Sequence, residues 1–254
     1  MTEGTPEFSD DGFLGGRIVI RQPRKGYRAG LDAVFLAACV PCAAGETIFE
    51  AGMGVGTAAL CVASRVQGVS VTGLELSPLY ARLARENVMR NGMAERITVI
   101  EGDVTTVTRS RREECRPGRF DHAIANPPYH RAERSTASPR PEKAQAHAMG
   151  EGELALWIRA MAAMVRPRGT ISIVQRPEHL PAILSAMTGR AGDIRIAPLF
   201  PRAGSPASLI LVQGIKGSRA DLRLLSGLML HGEGNGFTEE AEAVLRHGAG
   251  FPLR

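Results

Sequence analysis

Hydrophobic positions along this chain fall into short runs whose spacing switches between period two and a period of roughly 3.6, the pattern of strands alternating with helices. From residue 47 the alternation is regular. Residues 47–49 read as a strand ending at Glu50, followed by a glycine loop and a helix through Arg65. Residues 69–74 read as a strand ending at Glu75. Pro78 opens a helix at a favoured first position, and Asn91-Gly92 stops it. Further strands are predicted over 97–100, ending near Asp103, and over 120–125, ending at Asn126. After a polar stretch come a helix over 153–165, a strand over 169–174, a helix over 178–187 and candidate last strands over 194–199 and 209–212. Ahead of this series, 1–12 reads as a loose acidic tail, 17–21 as β, 22–26 as a turn and 31–40 as a short helix. The expected organisation is a tail over 1–12, a β-hairpin and helix over 13–46, and the main domain over 47–254.

Repeated β–α units predict an α/β fold: a mainly parallel sheet with helices on both faces. Such sheets bind ligands beyond the carboxyl ends of their strands. Glu50, Glu75, Asp103 and Asn126 each stand at or just past one of those ends.

The segment Glu50-Ala51-Gly52-Met53-Gly54-Val55-Gly56 lets backbone amides approach a ligand closely, since glycine has no side chain in the way. A dinucleotide fingerprint would want a third glycine at the position of Thr57, so pyrophosphate binding is disfavoured. Taken alone, the loop reads equally well as a tight strand-to-helix turn. Glu75, about 20 residues on, is placed to accept hydrogen bonds from both hydroxyls of a ribose. Asp103 suits an adenine amino group, and the Val104 amide a ring nitrogen; the competing reading of Asp103 is a cap on a short helix at Thr105. Together the three carboxylates describe a pocket for an adenosine without phosphate.

Asn126-Pro127-Pro128-Tyr129 is the most specific signal. Two successive prolines fix φ and remove two N–H donors, which stiffens the chain and leaves carbonyls available. The Asn126 side-chain carbonyl and the Pro127 backbone carbonyl can then accept from one planar –NH2 group, with Tyr129 stacking on it. A conjugated amine is a poor nucleophile, so orientation and electrostatics, not a strong base, should carry the rate.

At these residues the chain resembles the class I S-adenosylmethionine-dependent methyltransferases of the amino-methylating NPPY group. More narrowly, it is similar to bacterial tRNA(Val) adenine-N(6) methyltransferases, which carry a methyltransferase small domain. The resemblance runs from about Phe13 onward, and includes Tyr27-Arg28-Ala29-Gly30-Leu31-Asp32-Ala33-Val34, Pro201-Arg202-Ala203-Gly204-Ser205-Pro206-Ala207 and Phe237-Thr238-Glu239-Glu240. It implies a Rossmann-like seven-stranded sheet with its last strand antiparallel, and S-adenosyl-L-methionine as cofactor. By position, Glu50, Gly52, Gly54 and Gly56 would line the methionine and ribose side, Glu75 with Leu76 the ribose, Asp103 with Val104 the adenine, and Asn126 to Tyr129 the target amine. Asp32 would border the methionine end, or else cap the helix after it. Glu50 where the family has Asp, Met53 where Cys or Ala is frequent, and His130 after the NPPY are departures.

Charge bears on the substrate. The formal net charge is +5, although Glu3, Glu7, Asp10 and Asp11 crowd the first dozen residues, so the remainder is more basic still. Arg28, His130, Arg131, Arg134 and Lys143 gather near the expected pocket, and a basic loop there suits RNA phosphates, tRNA being the leading partner. Arg109, Arg111, Arg112, Arg116 and Arg119 read as solvated charge. No apolar run approaches the ~20 residues of a membrane span, and no secretory leader is recognisable, so a cytoplasmic protein without membrane partner is expected. Cys39 and Cys42 have CxxC spacing, but no second ligand pair accompanies them, so no metal is expected. Trp157 and His122 read as core residues. Rival functions are glutamine methylation of a protein, amine methylation of rRNA or DNA, a non-catalytic RNA binder with a dead cofactor pocket, and a nicotinamide oxidoreductase.

Overall fold

The computed structural model describes residues 7–110, 112–128 and 151–254. Its strands are β1 (Phe8–Phe13), β2 (Ile18–Pro23), β3 (Thr47–Ala51), β4 (Ser70–Glu75), β5 (Ile97–Glu101), β6 (Phe120–Ala125), β7 (Val165–Gln175), β8 (Ala191–Phe200), β9 (Leu209–Lys216), β10 (Arg223–Leu224) and β11 (Leu228–Met229). Its helices are α1 (Leu31–Cys39), α2 (Thr57–Arg65), α3 (Pro78–Arg90), α4 (Glu151–Met164), α5 (Leu180–Met187) and α6 (Glu239–Leu245). β1 and β2 form a separate antiparallel ribbon; the main sheet runs β10-β8-β9-β7-β6-β3-β4-β5, with β11 also on β8. Strands β3 to β7 are mutually parallel, and β9 is antiparallel to both β7 and β8. The expected seven-stranded, mainly parallel sheet is thus present. β10 and β11, two residues each, extend it along β8 and are too short to leave a periodic trace in sequence.

β3 shows why the central strands read as unbroken apolar runs. Ile48 enters one core with α1, α2 and α3, while Phe49 and Ala51 enter the other with α4 and α5. Both faces of the strand are covered, as parallel sheets require. Helix ends follow the local chemistry: Ser77 accepts from the Tyr80 amide ahead of Pro78, and Thr238 accepts from the Ala241 amide. Among the described residues no helix is long and apolar enough to cross a membrane.

The first correction concerns the N-terminus. Phe8 to Gly12, expected in the loose tail, is paired strand. Its acidic residues are paired across the ribbon and beyond: Asp10 binds Arg21 and Arg90, and Asp11 binds Arg28 and Gln22. The two arginines hold the Asp10 carboxyl down at about 2. The ribbon then docks on α3 through two side-chain amides. Asn87 Oδ1 accepts from the Arg21 amide (2.8 Å) and its Nδ2 donates to the Arg21 carbonyl (3.0 Å); Asn91 does the same for Val19 (3.0 and 2.9 Å). Four residues of helix rise about 6 Å and two strand residues about 6.7 Å, so positions 87 and 91 match alternate residues of β2. Two asparagines thereby imitate a neighbouring strand and cover an edge that would otherwise be open.

Candidate active site

The strand ends that the sequence singled out are flush. Ala51 stands opposite Leu74 and Ala125, and Glu75 opposite Glu101, so Glu50, Glu75, Asp103 and Asn126 all emerge along one edge of the sheet. The chain leaves β3 through three glycines at positive φ: Gly52 (67°), Gly54 (58°) and Gly56 (88°), a left-handed run that side chains resist. Gly56 is the N-cap of α2. The Met53 amide donates to the Leu74 carbonyl (2.9 Å), and the Gly54 amide to Glu75 Oε2 (2.7 Å), which clamps the loop against β4. Met53, the departure noted above, has room because Gly73 lies under it; a Cβ there would overlap the thioether. Gly52 faces the Trp157 ring in the same way. Trp157, expected in the core, is half-buried and packs on the glycine loop with its ring edge. Gly52→Ala combines left-handed strain with that collision. The expected result is a loss of about 1–3 kcal/mol of stability and of nearly all cofactor binding, read by thermal melting and by calorimetry.

The carboxylates differ in environment. Glu50 is 2% exposed, and burial pushes it up to about 8, with the nearby Glu75 charge adding to the rise and the Ala59 amide opposing it. Its Oε2 is buried without a hydrogen-bond partner. Burial also raises Glu75, whose oxygens take the Ser77 amide (2.8 Å) and the Gly54 amide, with the Leu76 amide a third group opposing the rise. Leu76 beside it is half exposed. Asp103 does cap the short helix after it: Oδ1 accepts from the Thr105 amide (2.7 Å) and hydroxyl (2.8 Å), while Oδ2 makes neither bond. Val104 is buried. A cavity of about 320 Å3 opens at this end, between Leu74, Gly102, Asp103, Val107 and Arg109. Its lining stops short of Glu50 and Asn126. The residues fit S-adenosylmethionine: an orphaned buried carboxylate oxygen awaits a cationic donor, and three glycines leave a cradle open beside it.

At the reacting end, Asn126 Nδ2 donates to Asp32 Oδ2 (2.8 Å) and to the Tyr27 hydroxyl (3.3 Å). The other Asp32 oxygen accepts from the Gly30 and Ala33 amides at the start of α1, whose N-cap is Gly30 and takes no side-chain cap bond. Tyr27 bridges the two halves. Its hydroxyl meets Asn126, its ring edge lies against Gly54, and burial together with the charges of Asp32, Glu50 and Glu75 raises its pKa well above normal. The Pro127 carbonyl accepts from buried Gln175 Nε2 (3.3 Å) at the end of β7, which helps fix the proline turn. Tyr27 as a site residue, Gln175 and Asn87, whose Nδ2 also holds the Val55 carbonyl (2.9 Å), went unnoticed in sequence.

Some expectations fall elsewhere. Tyr129, His130, Arg131, Arg134 and Lys143 lie outside the described residues. Arg28, expected to meet phosphate, is exposed and donates to Ser9, the Pro23 carbonyl and Asp11 of the ribbon. His122 is a satisfied core histidine between Thr170 (2.8 Å) and Glu46 (3.0 Å). Cys39 donates to the Leu36 carbonyl, and burial pushes its thiol up to about 12.

Comparison with known proteins agrees with this geometry. Residues 29–177 match the methyltransferase small domain family. A tRNA1(Val) (adenine(37)-N6)-methyltransferase of Escherichia coli is 31% identical over 147 residues, which is 57% of this chain and 58% of that protein; the corresponding protein of Citrobacter koseri gives the same figures. The chain thus spans a little under three fifths of the curated relatives it matches. A crystal structure of a predicted O-methyltransferase from Agrobacterium tumefaciens superposes with a TM-score of 0.71 at 30% identity, covering 87% of this chain and 98% of that one. An S-adenosylmethionine-dependent O-methyltransferase from Thermotoga maritima shares the fold alone (TM-score 0.54, 15% identity, 77% and 68% covered). With its glycine cradle, its strand-end carboxylates and a family match over more than half its length, the chain belongs to the methyltransferase small domain family, whose cofactor is S-adenosylmethionine.

Proposed function

We propose that this chain methylates an exocyclic amino group, adenine N6 in tRNA being the leading acceptor, in the cytoplasm where tRNA resides. The observation that carries the reading is the Asn126-Pro127-Pro128 turn, leaving β6 one strand away from Glu50 and the glycine loop. S-adenosylmethionine, when bound, supplies an electrophilic methyl carbon. The chain's own part is orientation. The Asn126 and Pro127 carbonyls accept the two amine hydrogens, which directs the nitrogen lone pair and offsets the positive charge that grows on it. The amine would exchange one N–H for the methyl group so supplied, and the displaced proton would pass to solvent, with no side-chain base required of the chain.

Nitrogen is favoured over the oxygen acceptor attributed to the Agrobacterium neighbour, because two carbonyl acceptors match two N–H donors, whereas a hydroxyl offers one and needs a base. The relatives named for adenine(37)-N6 in tRNA1(Val) support RNA as the substrate class. The basic residues after the motif (His130, Arg131, Arg134 and Lys143) suit phosphate contacts.

Incubation with radiolabelled S-adenosylmethionine and separate pools of tRNA, rRNA, DNA and protein tests this. Label in tRNA that digests to N6-methyladenosine is the expected result. Label confined to protein glutamine, or to an oxygen acceptor, overturns it.

A further inference from the structure

We propose that Asp32 is a positioning residue of the transfer: it decides which end of the Asn126 amide the target amine meets. The proposal rests on the methyl-transfer reading above.

The oxygen and nitrogen of an asparagine side chain are nearly the same size, and only hydrogen-bond partners choose between the two flips. For Asn126 the choice decides function. An amine donor approaching the carbonyl is held, whereas one approaching the –NH2 meets another donor and is turned away. Asp32 settles it. An ionised carboxylate only accepts, and its Oδ2 lies 2.8 Å from Asn126 Nδ2, so the flipped amide would set oxygen against oxygen. Tyr27, whose hydroxyl also lies on the Nδ2 side, adds to the preference. The carbonyl therefore takes the other branch of the amide.

Asp32 cannot turn away from this task. Its Oδ1 is fixed by the Gly30 and Ala33 amides at the start of α1, which leaves Oδ2 aimed at Asn126. Those two backbone bonds use one oxygen. The bond of the other oxygen spans 94 positions of sequence and has no bearing on the helix.

That division of labour makes the proposal testable apart from any part Asp32 plays in stability. Asp32→Asn keeps an oxygen for the two backbone amides and replaces the other oxygen by –NH2. That donor now faces the donor of Asn126 and favours its flip. The expected result is a fall in kcat of about 30-fold or more, with cofactor Kd and amine KM within about threefold and Tm within a few degrees. Asn126→Asp alone sets two carboxylates together and should be nearly inactive. Adding Asp32→Asn to it restores a donor–acceptor pair and leaves a carboxylate oxygen for the amine, so the double variant should turn over at least about tenfold faster than Asn126→Asp alone. A residue that serves only to hold the backbone at the start of α1 predicts neither effect: undiminished kcat in Asp32→Asn, or no rescue in the double variant, overturns the proposal.

Hydrogen exchange of the Asn126 side-chain –NH2, followed by NMR in the cofactor-free protein, reads the orientation without turnover. It should be protected in the wild type and exchange faster in Asp32→Asn; equal exchange overturns the assignment. If the wild type methylates no amine at all, the functional reading fails. If it does so and Asp32→Asn matches it, only this inference fails.

Discussion

Asn126→Ala is expected to lower the rate of methyl transfer by about 10²–10³-fold while cofactor Kd moves by less than about threefold, the scale seen when one preorganised polar group is removed from a developing charge. Its amide is built for one purpose. Asp32 and Tyr27 hold the nitrogen end, and Pro127 and Pro128 stiffen the chain beyond it, so the carbonyl is set before any amine arrives. Such preorganisation costs nothing at the moment of reaction, which is why truncation should appear in kcat and leave KM nearly alone. Calorimetry with the cofactor and single-turnover kinetics with the labelled acceptor separate the two quantities. Turnover within twofold of the wild type would remove Asn126 from the reacting centre.

Glu50→Gln should weaken cofactor binding by about 10–100-fold, the cost of losing a charged hydrogen bond in a buried site. It should also abolish much of the pH dependence of that binding. With its carboxyl pushed up to about 8, Glu50 is largely protonated in the empty protein at neutral pH. A ligand ammonium favours the ionised form, so binding releases a proton and affinity climbs with pH until about 8, then levels. Stability of the empty protein runs the other way. The folded-state value lies above the unfolded one of 4.5, so the contribution is intact below 4.5 and is lost as pH rises through about 8. Glu75, also raised by burial, acts in the same sense. Wild-type Tm should therefore fall from about pH 5 to pH 9, and the Gln variant should fall less steeply. A variant whose melting temperature tracks the wild type across that range, with unchanged affinity, would contradict the assignment of Glu50.

The parts legible in sequence were those encoded locally. Strands β3 to β6 and their terminal Glu50, Glu75, Asp103 and Asn126 could be read because parallel strands are apolar on both faces and end abruptly in polar residues. The glycine loop was read from spacing, and its positive φ values bear that spacing out. What stayed hidden was pairing at a distance. β1 sets only Phe8 and Phe13 against the core and its acidic residues are ion-paired, so the segment imitated a solvated tail. The same pairing explains Arg28, whose partner Asp11 belongs to the strand that was missed. Gln175 and Tyr27 reach Pro127 and Asn126 from 48 and 99 positions away, and an isolated Gln or Tyr carries no period to mark it. Asp103 shows the converse: both readings of one carboxylate remained because a cap uses a single oxygen.

The asparagine pair on α3 leaves an uneven imprint on what this protein can tolerate. Because positions 87 and 91 grip only the backbone of β2, the side chain at Val19 is irrelevant to that grip and can drift in identity, whereas Arg21 is also tied to Asp10 through its guanidinium. The two asparagines have no such latitude, since aspartate lacks the donor and glutamine overshoots the reach. Homologous chains should accordingly vary freely at position 19 and hold fast at two positions of a helix that, by hydrophobicity alone, looks unremarked.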